Sequence, residues 1–308
     1  MAITLTQLRS FLAVVRTGSV TAAADELVVT QPSVSAAVSA LSKELGVPVT
    51  ERVGRSVRPS AAGEAFAAYA VDVIGLLEQG GRAAREAAES AASELHIAAV
   101  TTAAEHIVPP LLEAFSEYHP EVVLSLDVGN RERVFHRVAG HHSDVAIGGR
   151  PPDEGVEGER FLENPVAIIA SPADPLVRQR SVPVEALGSR PWLLREEGSG
   201  TRAMTEEFLA SHDLHPQVLT LGSNGAIKQA ARAGLGVALQ SLLSSQLELD
   251  VGHLATIDVA TPLPERHWYI LRPRRGTMRA PAQAFIEFVR SEEGRRAVRP
   301  PADAVARW

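Results

Sequence analysis

The spacing of apolar residues changes once along the chain, near residue 90. Before that point apolar positions recur every three or four residues, which is the period of amphipathic helices. From Leu95 onward short apolar runs alternate with helical segments, and this alternation predicts strands and helices in turn. The sequence therefore predicts an α/β protein overall, with a helical N-terminal region and a larger α/β region.

Three helices are predicted at the N-terminus. The first spans Leu5 to Thr17. The second has a buried face of small or branched residues: Ala22, Ala23, Leu27 and Val29. A third begins near Gln31, because Thr30 is a suitable N-cap and Pro32 is tolerated in a first turn. Its apolar side consists of Val34, Val38 and Leu41.

The second and third helices, with the sharp turn between them, have the outline of a helix-turn-helix. The third helix is amphipathic, and its other side carries small polar residues. Such a helix can enter the major groove of DNA. We therefore predict DNA contacts from Gln31, Ser33, Ser35 and Ser39, with Ser33 and Ser35 facing base edges.

A basic hairpin is predicted after this helix. Gly46 is a natural helix stop, and Val47 to Val57 reads as two extended segments joined around Gly54 and Arg55. Guanidinium groups suit phosphates or a minor groove. The candidates are Arg52, Arg55 and Arg58. Alternatively, the three arginines only keep a surface turn solvated and do not contact DNA.

A long alanine-rich helix is predicted from Ser60 toward Ser90. Its larger apolar residues lie at Phe66, Tyr69, Val73 and Leu76, and small ones continue the spacing at Gly80, Ala83 and Ala87. This stripe is typical of a coiled-coil seam. A lone helix containing several glycines buries too little surface to be stable, so the stripe needs a partner. The partner is a second copy of the chain or, alternatively, the chain's own C-terminal region.

The α/β region is predicted to form two sets of elements and hence two lobes. Strands of the first set are Leu95–Val100, Val122–Val128, Asp144–Gly148 and Pro165–Ala170, with helices at His106–Tyr118 and Glu132–Ala139. Strands of the second set are Trp192–Leu194, Val218–Leu221 and Gly236–Gln240, with helices at Arg202–Ser211, Ala226–Ala233 and Ser241–Glu248. Strands Leu254–Val259 and Trp268–Leu271 and a helix Ala280–Ser291 follow.

Ligands of open α/β sheets bind beyond the carboxyl ends of the strands, where helix N-termini favour anions. The segment from Gly198 to Arg202 is the most informative of these loops, because its glycines allow close backbone approach and its hydroxyls can donate. It lacks the lysine and spacing of a Walker loop. The predicted effector-binding residues are Thr101, Thr102, Asn130, Ser199, Gly200, Thr201, Arg202 and Asn224. A plain flexible turn is the alternative for the Gly198 segment.

Composition excludes several classes of protein. The 308-residue chain has a net charge of −7, and only a modest positive excess in its first 60 residues. It has no cysteine, so disulfides and thiolate metal sites are excluded and a reducing compartment, the cytoplasm, is favoured. No stretch is long and apolar enough to span a membrane. His141 and His142 near Asp144 favour a solvated turn over a metal or acid–base site, and no catalytic motif, metal site or cofactor is predicted.

The N-terminal residues resemble those of LysR-type transcriptional regulators. The resemblance rests on Leu8–Val14, Gly18-Ser19, Ala22–Ala24, Leu27, Gln31–Ser35, Leu41, Glu44–Pro48 and Glu51-Arg52. It departs from the family at Val20, Thr50, Ala36 and Ala37, which puts the usual base contacts in doubt. The resemblance implies a winged helix-turn-helix, homodimers that assemble into tetramers, and a two-lobed effector domain like periplasmic binding proteins. It also implies two crossings between lobes, with the last helix returning to the first.

Parts of the second region are similar to regulators of carbon dioxide fixation operons. These parts are Gly198–Arg202, Ser223–Gln229, Gly234–Gly236 and Arg266–Tyr269. That resemblance implies a phosphorylated or reduced-cofactor metabolite as effector. The predicted domains are a winged helix-turn-helix (1–59), a dimerisation helix (60–90), a hinge (91–94), an effector domain (95–299) and a tail (300–308).

Two functions are compatible with the sequence. The first is a regulator that binds double-stranded DNA and is modulated by a small, anionic metabolite. The second is a binding protein or degenerate enzyme whose N-terminal helices only mediate assembly, motivated by the alanines at Ala36 and Ala37.

Overall fold

The structure, a computed structural model, describes residues 2–54, 56–89, 93–152 and 155–298. Packing divides the chain into two compact units. The first comprises Met1–Ala91 with the segments Ala139–His142 and Arg275–Thr277, and the second comprises the other residues. Residues 91 and 92 of the predicted hinge and the predicted tail 300–308 lie outside the described residues. Glu94, assigned to that hinge, is instead the first residue of a strand.

The first unit begins with three helices at the predicted positions: α1 (Leu5–Thr17), α2 (Val20–Leu27) and α3 (Gln31–Leu45). Each is capped by a hydroxyl. Thr4 and Gln7 form a reciprocal capping box, Ser19 caps α2, and Thr30 Oγ1 accepts from Ser33 N at 3.4 Å. These local contacts explain why the sequence pattern located the helices correctly.

The three helices enclose a small apolar core. Its fully buried members include Phe11, Val34 and Leu41. The prediction for α2 was partly wrong, because Ala22 and Val29 are exposed and Ala24 is buried beside Ala23. The helix ends at Leu27, and its C-cap Val28 has a left-handed φ of 54°, so the chain leaves the helix before Val29 can reach the core.

A two-stranded wing follows, formed by β1 (Thr50–Val53) and β2 (Ser56–Pro59) as predicted. The long helix α4 (Ala61–Glu89) begins after Ser60, whose Oγ accepts from Gly63 N at 3.1 Å. The predicted seam on α4 is only partly available. The ring of Phe66 lies 6.0 Å from that of Phe11, so it belongs to the core of this unit. Exposed apolar side chains recur instead at Tyr69, Val73 and Leu77.

The second unit has two lobes. In the first, five strands are ordered β4-β3-β5-β12-β6: β3 (Glu94–Val100), β4 (Val123–Gly129), β5 (Val145–Gly148), β6 (Val156–Glu163) and β12 (His267–Pro273). Strands β3, β4 and β5 are parallel, whereas β12 is antiparallel to both neighbours. The helices of this lobe are α5 (Thr101–His106), α6 (Val108–Tyr118), α7 (Arg131–Ala139), α11 (Ala280–Arg290) and α12 (Glu292–Ala297).

The second lobe contains two small sheets. One has the order β10-β7-β11 and the other pairs β8 with β9. The strands are β7 (Val166–Ala170), β8 (Trp192–Leu194), β9 (Val218–Thr220), β10 (Ala238–Ser241) and β11 (Ala255–Ile257). The helices are α8 (Gly200–Ser211), α9 (Asn224–Arg232) and α10 (Leu242–Asp250). A bridge between Trp192 and Val237 links the two sheets.

The chain crosses between lobes twice, from β6 to β7 and from β11 to β12. The crossing segments are joined by a hydrogen bond from Asn164 N to Arg266 O at 2.9 Å. Helix α11 packs with Phe285 and Phe288 in the core of the first lobe, which confirms that the last part of the chain returns there.

Several element predictions required correction. The strand predicted at Pro165–Ala170 was grouped with the first lobe but is β7 of the second, because the first crossing occurs before it. The helix predicted at His106–Tyr118 is α6 and begins at Val108, and the preceding helix α5 was not predicted; the two are separate because Pro109 and Pro110 have no N–H to continue α5. Strand β6 was not predicted, because most of its residues are polar. This composition is consistent with its position at the edge of the sheet. Helix α8 begins two residues before the predicted Arg202.

Candidate functional site

The outward face of α3 is small and uncharged. Gln31, Ser35 and Ser39 are exposed at intervals of four residues and so form one row along the helix. Their side chains make no hydrogen bond to any residue that the structure describes. Ser33 is also exposed, but its Oγ lies 2.8 Å from Thr30 Oγ1 in the helix cap. A base contact by Ser33 would therefore compete with the cap.

The wing does not present a single basic face. Arg52 pairs with Val57 and Glu51 pairs with Arg58, and paired residues point to the same side of a hairpin. Arg52 and Arg58 therefore point to opposite sides, and both are exposed. Arg55 lies outside the described residues.

A cleft of about 480 Å³ lies between the two lobes of the second unit. Six of the eight predicted effector-binding residues line it together: Thr101, Thr102, Asn130, Ser199, Gly200 and Thr201. They come from α5, from the loop after β4 and from the start of α8, which all lie beyond the carboxyl ends of strands. The carboxyl-end rule thus located this part of the cleft wall.

The two remaining predicted residues, Arg202 and Asn224, do not line the cleft. Arg202 Nε donates to Glu206 Oε1 at 2.7 Å, one turn later on α8, so the charge of Arg202 is directed along the helix. Asn224 is buried behind the wall. The prediction that these two side chains face the ligand directly is therefore corrected.

Four arginines line the cleft, and none of them was singled out from the sequence as a ligand-binding residue. They are Arg131 at the start of α7, Arg150 after β5, Arg195 after β8 and Arg266 on the second crossing segment. Two glutamates, Glu207 and Glu265, also line it. Arg266 did stand in a segment that the sequence singled out, Arg266–Tyr269, and Arg150 directly follows the predicted strand Asp144–Gly148. Their position beyond strand ends was the available signal.

Arg266 and Arg131 have unusual electrostatic surroundings. Arg266 makes no ion pair or side-chain hydrogen bond with any described residue. Burial, and secondly the charge of Arg131, lower the pKa of Arg266 to about 10. Burial also lowers the pKa of Arg131, whose guanidinium lies 4.5 Å from the ring of Phe135 and donates to Arg150 O at 3.3 Å. Two cations thus share the cleft without a carboxylate partner in the described chain.

Arg195 belongs to a buried polar network. Its Nε and Nη2 donate to both carboxylate oxygens of Glu196 at 2.7 and 2.8 Å. Its Nη1 donates to Asn224 Oδ1 at 2.5 Å, and Asn224 Nδ2 donates to Thr102 Oγ1 at 2.9 Å. Burial raises the pKa of Glu196, but the bond to Arg195 leaves it lowered overall. This network connects the second lobe to the first.

No cluster of metal-ligating side chains occurs in the described parts of the chain, and none of the described helices could span a membrane. Asp144 is not available for acid–base chemistry, because Arg279 Nη1 contacts both of its oxygens at 3.1 and 2.9 Å. The pair His141 and His142 was predicted to lie in a solvated turn. That is wrong for His141, which is buried.

Comparison with known families decides between the two interpretations of the N-terminal helices. Residues 5–64 match the family described as bacterial regulatory helix-turn-helix protein, lysR family. Residues 88–294 match the LysR substrate binding domain, which alone covers more than half of the chain. The chain belongs to the LysR family of transcriptional regulators. The N-terminal helices are therefore its DNA-binding domain rather than an assembly module, and the second unit is its effector-binding domain.

Relatives of this LysR-type regulator include named regulators of carbon dioxide fixation. It is 37% identical over 288 residues to the transcriptional activator CmpR of Synechocystis, covering 93% of this chain and 94% of the relative. It is 38% identical over 304 residues to a RuBisCO operon transcriptional regulator of Allochromatium vinosum, covering 96% and 98%. The subfamily resemblance in the sequence is thereby confirmed.

Solved structures give the same fold. The regulatory domain of Synechocystis CcmR in complex with 2-PG is 32% identical, with a TM-score of 0.61, and covers 64% of this regulator and 96% of that chain. Full-length CbnR is 20% identical, with a TM-score of 0.59, and covers 96% and 100%. The second likeness supports the fold alone.

Proposed function

We propose that the cleft of this regulator binds a small phosphorylated carboxylic acid and that binding changes how the protein acts on its DNA. The carrying observation is Arg266, a partly buried guanidinium that lines the cleft without an ion-pair partner in the described chain, with Arg131 as its charged neighbour. An unpaired buried charge is costly, and guanidinium groups bind phosphate and carboxylate through paired hydrogen bonds. An acidic ligand would remove this cost.

The rest of the cleft wall fits the same ligand. Ser199 Oγ accepts from Thr201 N at 3.3 Å and so caps α8, a helix of 12 residues whose first N–H groups face the cleft region. The hydroxyls of Thr101, Thr102 and Thr201 add uncharged partners. The CcmR domain was solved with 2-PG, which is 2-phosphoglycolate, and this supports the ligand class.

Ligand binding between lobes can alter their angle only through unequal affinity for two arrangements. A hundredfold preference for one arrangement corresponds to about 2.7 kcal/mol. We propose that the exposed stripe Tyr69, Val73 and Leu77 on α4 holds a homodimer, so that this change alters the spacing of two DNA-binding domains. Assembly of two such dimers into a tetramer is also proposed. The regulator is proposed to be a cytoplasmic protein without enzymatic activity.

Calorimetry with 2-phosphoglycolate, glycolate, inorganic phosphate and a neutral diol tests the proposal. We expect the doubly acidic compound to bind most tightly and the diol not to bind. Arg266→Gln should weaken binding of 2-phosphoglycolate by about ten- to a hundredfold, the loss typical of a charged hydrogen-bond partner. Arg232→Gln, at an exposed arginine of the second lobe outside the cleft lining, is the control. Equal affinities for Arg266→Gln and wild type would contradict the proposal.

A further inference from the structure

Thr101 and Thr102 are neighbours on the cleft wall, but their hydroxyls have opposite hydrogen-bonding roles. Thr101 Oγ1 donates to Gly129 O at 3.4 Å, so its proton is already used. Thr102 Oγ1 accepts from Asn224 Nδ2 at 2.9 Å, so one lone pair is used and its proton is not. No described residue accepts that proton.

The orientation of Asn224 follows from the chemistry of Arg195. A guanidinium carries donors only, so the atom of Asn224 at 2.5 Å from Arg195 Nη1 must be the oxygen Oδ1. The amide nitrogen therefore faces Thr102 and must donate. Arg195 itself is fixed by two hydrogen bonds to Glu196. The direction of each hydrogen bond is thus fixed in turn. The Glu196 carboxylate orients Arg195, Arg195 orients the amide of Asn224, and Asn224 makes Thr102 an acceptor.

All three members of this relay are buried. Thr102 is 8% exposed, Arg195 4% and Asn224 2%, which leaves little room for alternative rotamers or water. Thr102 also lines the cleft, and the cleft is where its proton can find an acceptor. A ligand atom that accepts satisfies this proton, whereas an atom that only donates could use the remaining lone pair but would leave the buried proton without a partner.

We infer that Asn224 is a positioning residue that holds Thr102 as a hydrogen-bond donor toward the ligand. It thereby favours a ligand atom that accepts a hydrogen bond, such as a carboxylate or phosphate oxygen, at this point of the cleft. This inference rests on the proposed function of the cleft and specifies it. Asn224 acts through Thr102 and does not touch the ligand.

The test is a double-mutant cycle measured by calorimetry with 2-phosphoglycolate. Thr102→Val should lower affinity about tenfold, whereas Thr220→Val, the control at an exposed threonine of β9 outside the cleft lining, should change it less than about twofold. Asn224→Asp can still accept from Arg195, but it cannot donate and would take the proton of Thr102. It should lower affinity in the wild type by about fivefold more than in the Thr102→Val background, where only its charge acts.

Additive effects of Asn224→Asp and Thr102→Val would overturn the relay while leaving the proposed function intact. Equal losses for Thr220→Val and Thr102→Val would also overturn it. If the wild type binds none of the four compounds, the proposed function fails. The coupling between Asn224 and Thr102 is then tested by urea unfolding. Midpoints for Thr102→Val, Asn224→Leu and the double variant should then be non-additive, and additive midpoints would show that the two residues are not coupled.

Discussion

Arg131 and Arg266 converge on Gly200, the first residue of α8. A Cβ on this glycine would lie 3.2 Å from Arg131 Cδ and 3.7 Å from Arg266 Nη2. One arginine begins α7 in the first lobe, and the other lies on the crossing segment. The missing side chain of Gly200 therefore allows the two guanidinium groups to share one region of the cleft.

Gly200→Ala should weaken binding of 2-phosphoglycolate by about tenfold without loss of fold, because the added methyl displaces the flexible Arg131 side chain rather than backbone. Calorimetry and a thermal melt measure the two effects. Gly222→Ala is the control, since a Cβ there meets no atom within 4 Å. A large drop in melting temperature for Gly200→Ala would show that the position is structural instead.

The pKa of Arg266, lowered to about 10 mainly by burial, predicts the pH dependence of binding. An acidic ligand favours the protonated guanidinium, so affinity should be nearly constant between about pH 7 and 9. Above a pH of about 10 it should fall, by up to about tenfold per unit. Calorimetry across this range measures it, and Arg266→Gln should show weaker but flatter binding. In the ligand-free protein, the effect on stability has the opposite sign. The charge on Arg266 lowers the free energy of unfolding below a pH of about 10, and this cost is relieved as the pH rises further.

The exposed stripe on α4 predicts the quaternary structure. Val73→Asp places a carboxylate at the centre of the stripe formed with Tyr69 and Leu77, so we expect it to convert an oligomer to monomers and to weaken binding to paired half-sites. Mass photometry and light scattering measure the assembly. Ala68→Asp, exposed on the same helix but off the stripe, should leave it unchanged. An unchanged mass for Val73→Asp would rule out this stripe as the dimer contact.

DNA binding should distinguish Ser35 from Arg58. Ser35→Ala should alter preference at particular base pairs, because its hydroxyl is exposed on α3 and makes no other hydrogen bond within the described chain. Arg58→Ala should weaken all sequences alike and reduce the slope of affinity against salt by about one. Titrations of operator variants at several salt concentrations separate the two. Sequence-specific effects from both substitutions would refute the assignment.

Local signals carried most of the fold prediction. Thr4, Ser19, Thr30 and Ser60 each cap a helix through contacts within three residues, so the sequence near each one contains the information. The cleft hydroxyls were located by a similar rule about strand ends. The ion pair of Arg202 could also have been predicted, because Glu206 lies four residues later on the same helix.

The arginines of the cleft could not be predicted in the same way. Arg131, Arg150, Arg195 and Arg266 come from four separate segments, and only the folded chain brings them to one wall. The role of Asn224 is likewise non-local, because Thr102 lies 122 residues earlier in the sequence. Convergence of distant residues depends on how the lobes pack, and neither spacing nor residue type contains that information.

The bond between Asn164 N and Arg266 O has a mechanical consequence. It places Arg266, one of the cations of the cleft wall, at the pivot of the two lobes rather than at their tips. A ligand that moves this backbone acts on a short lever arm, so a displacement of a fraction of an ångström is multiplied along the length of each lobe. A small ligand that contacts Arg266 is therefore placed where it can change the angle between the lobes without contacting their outer ends.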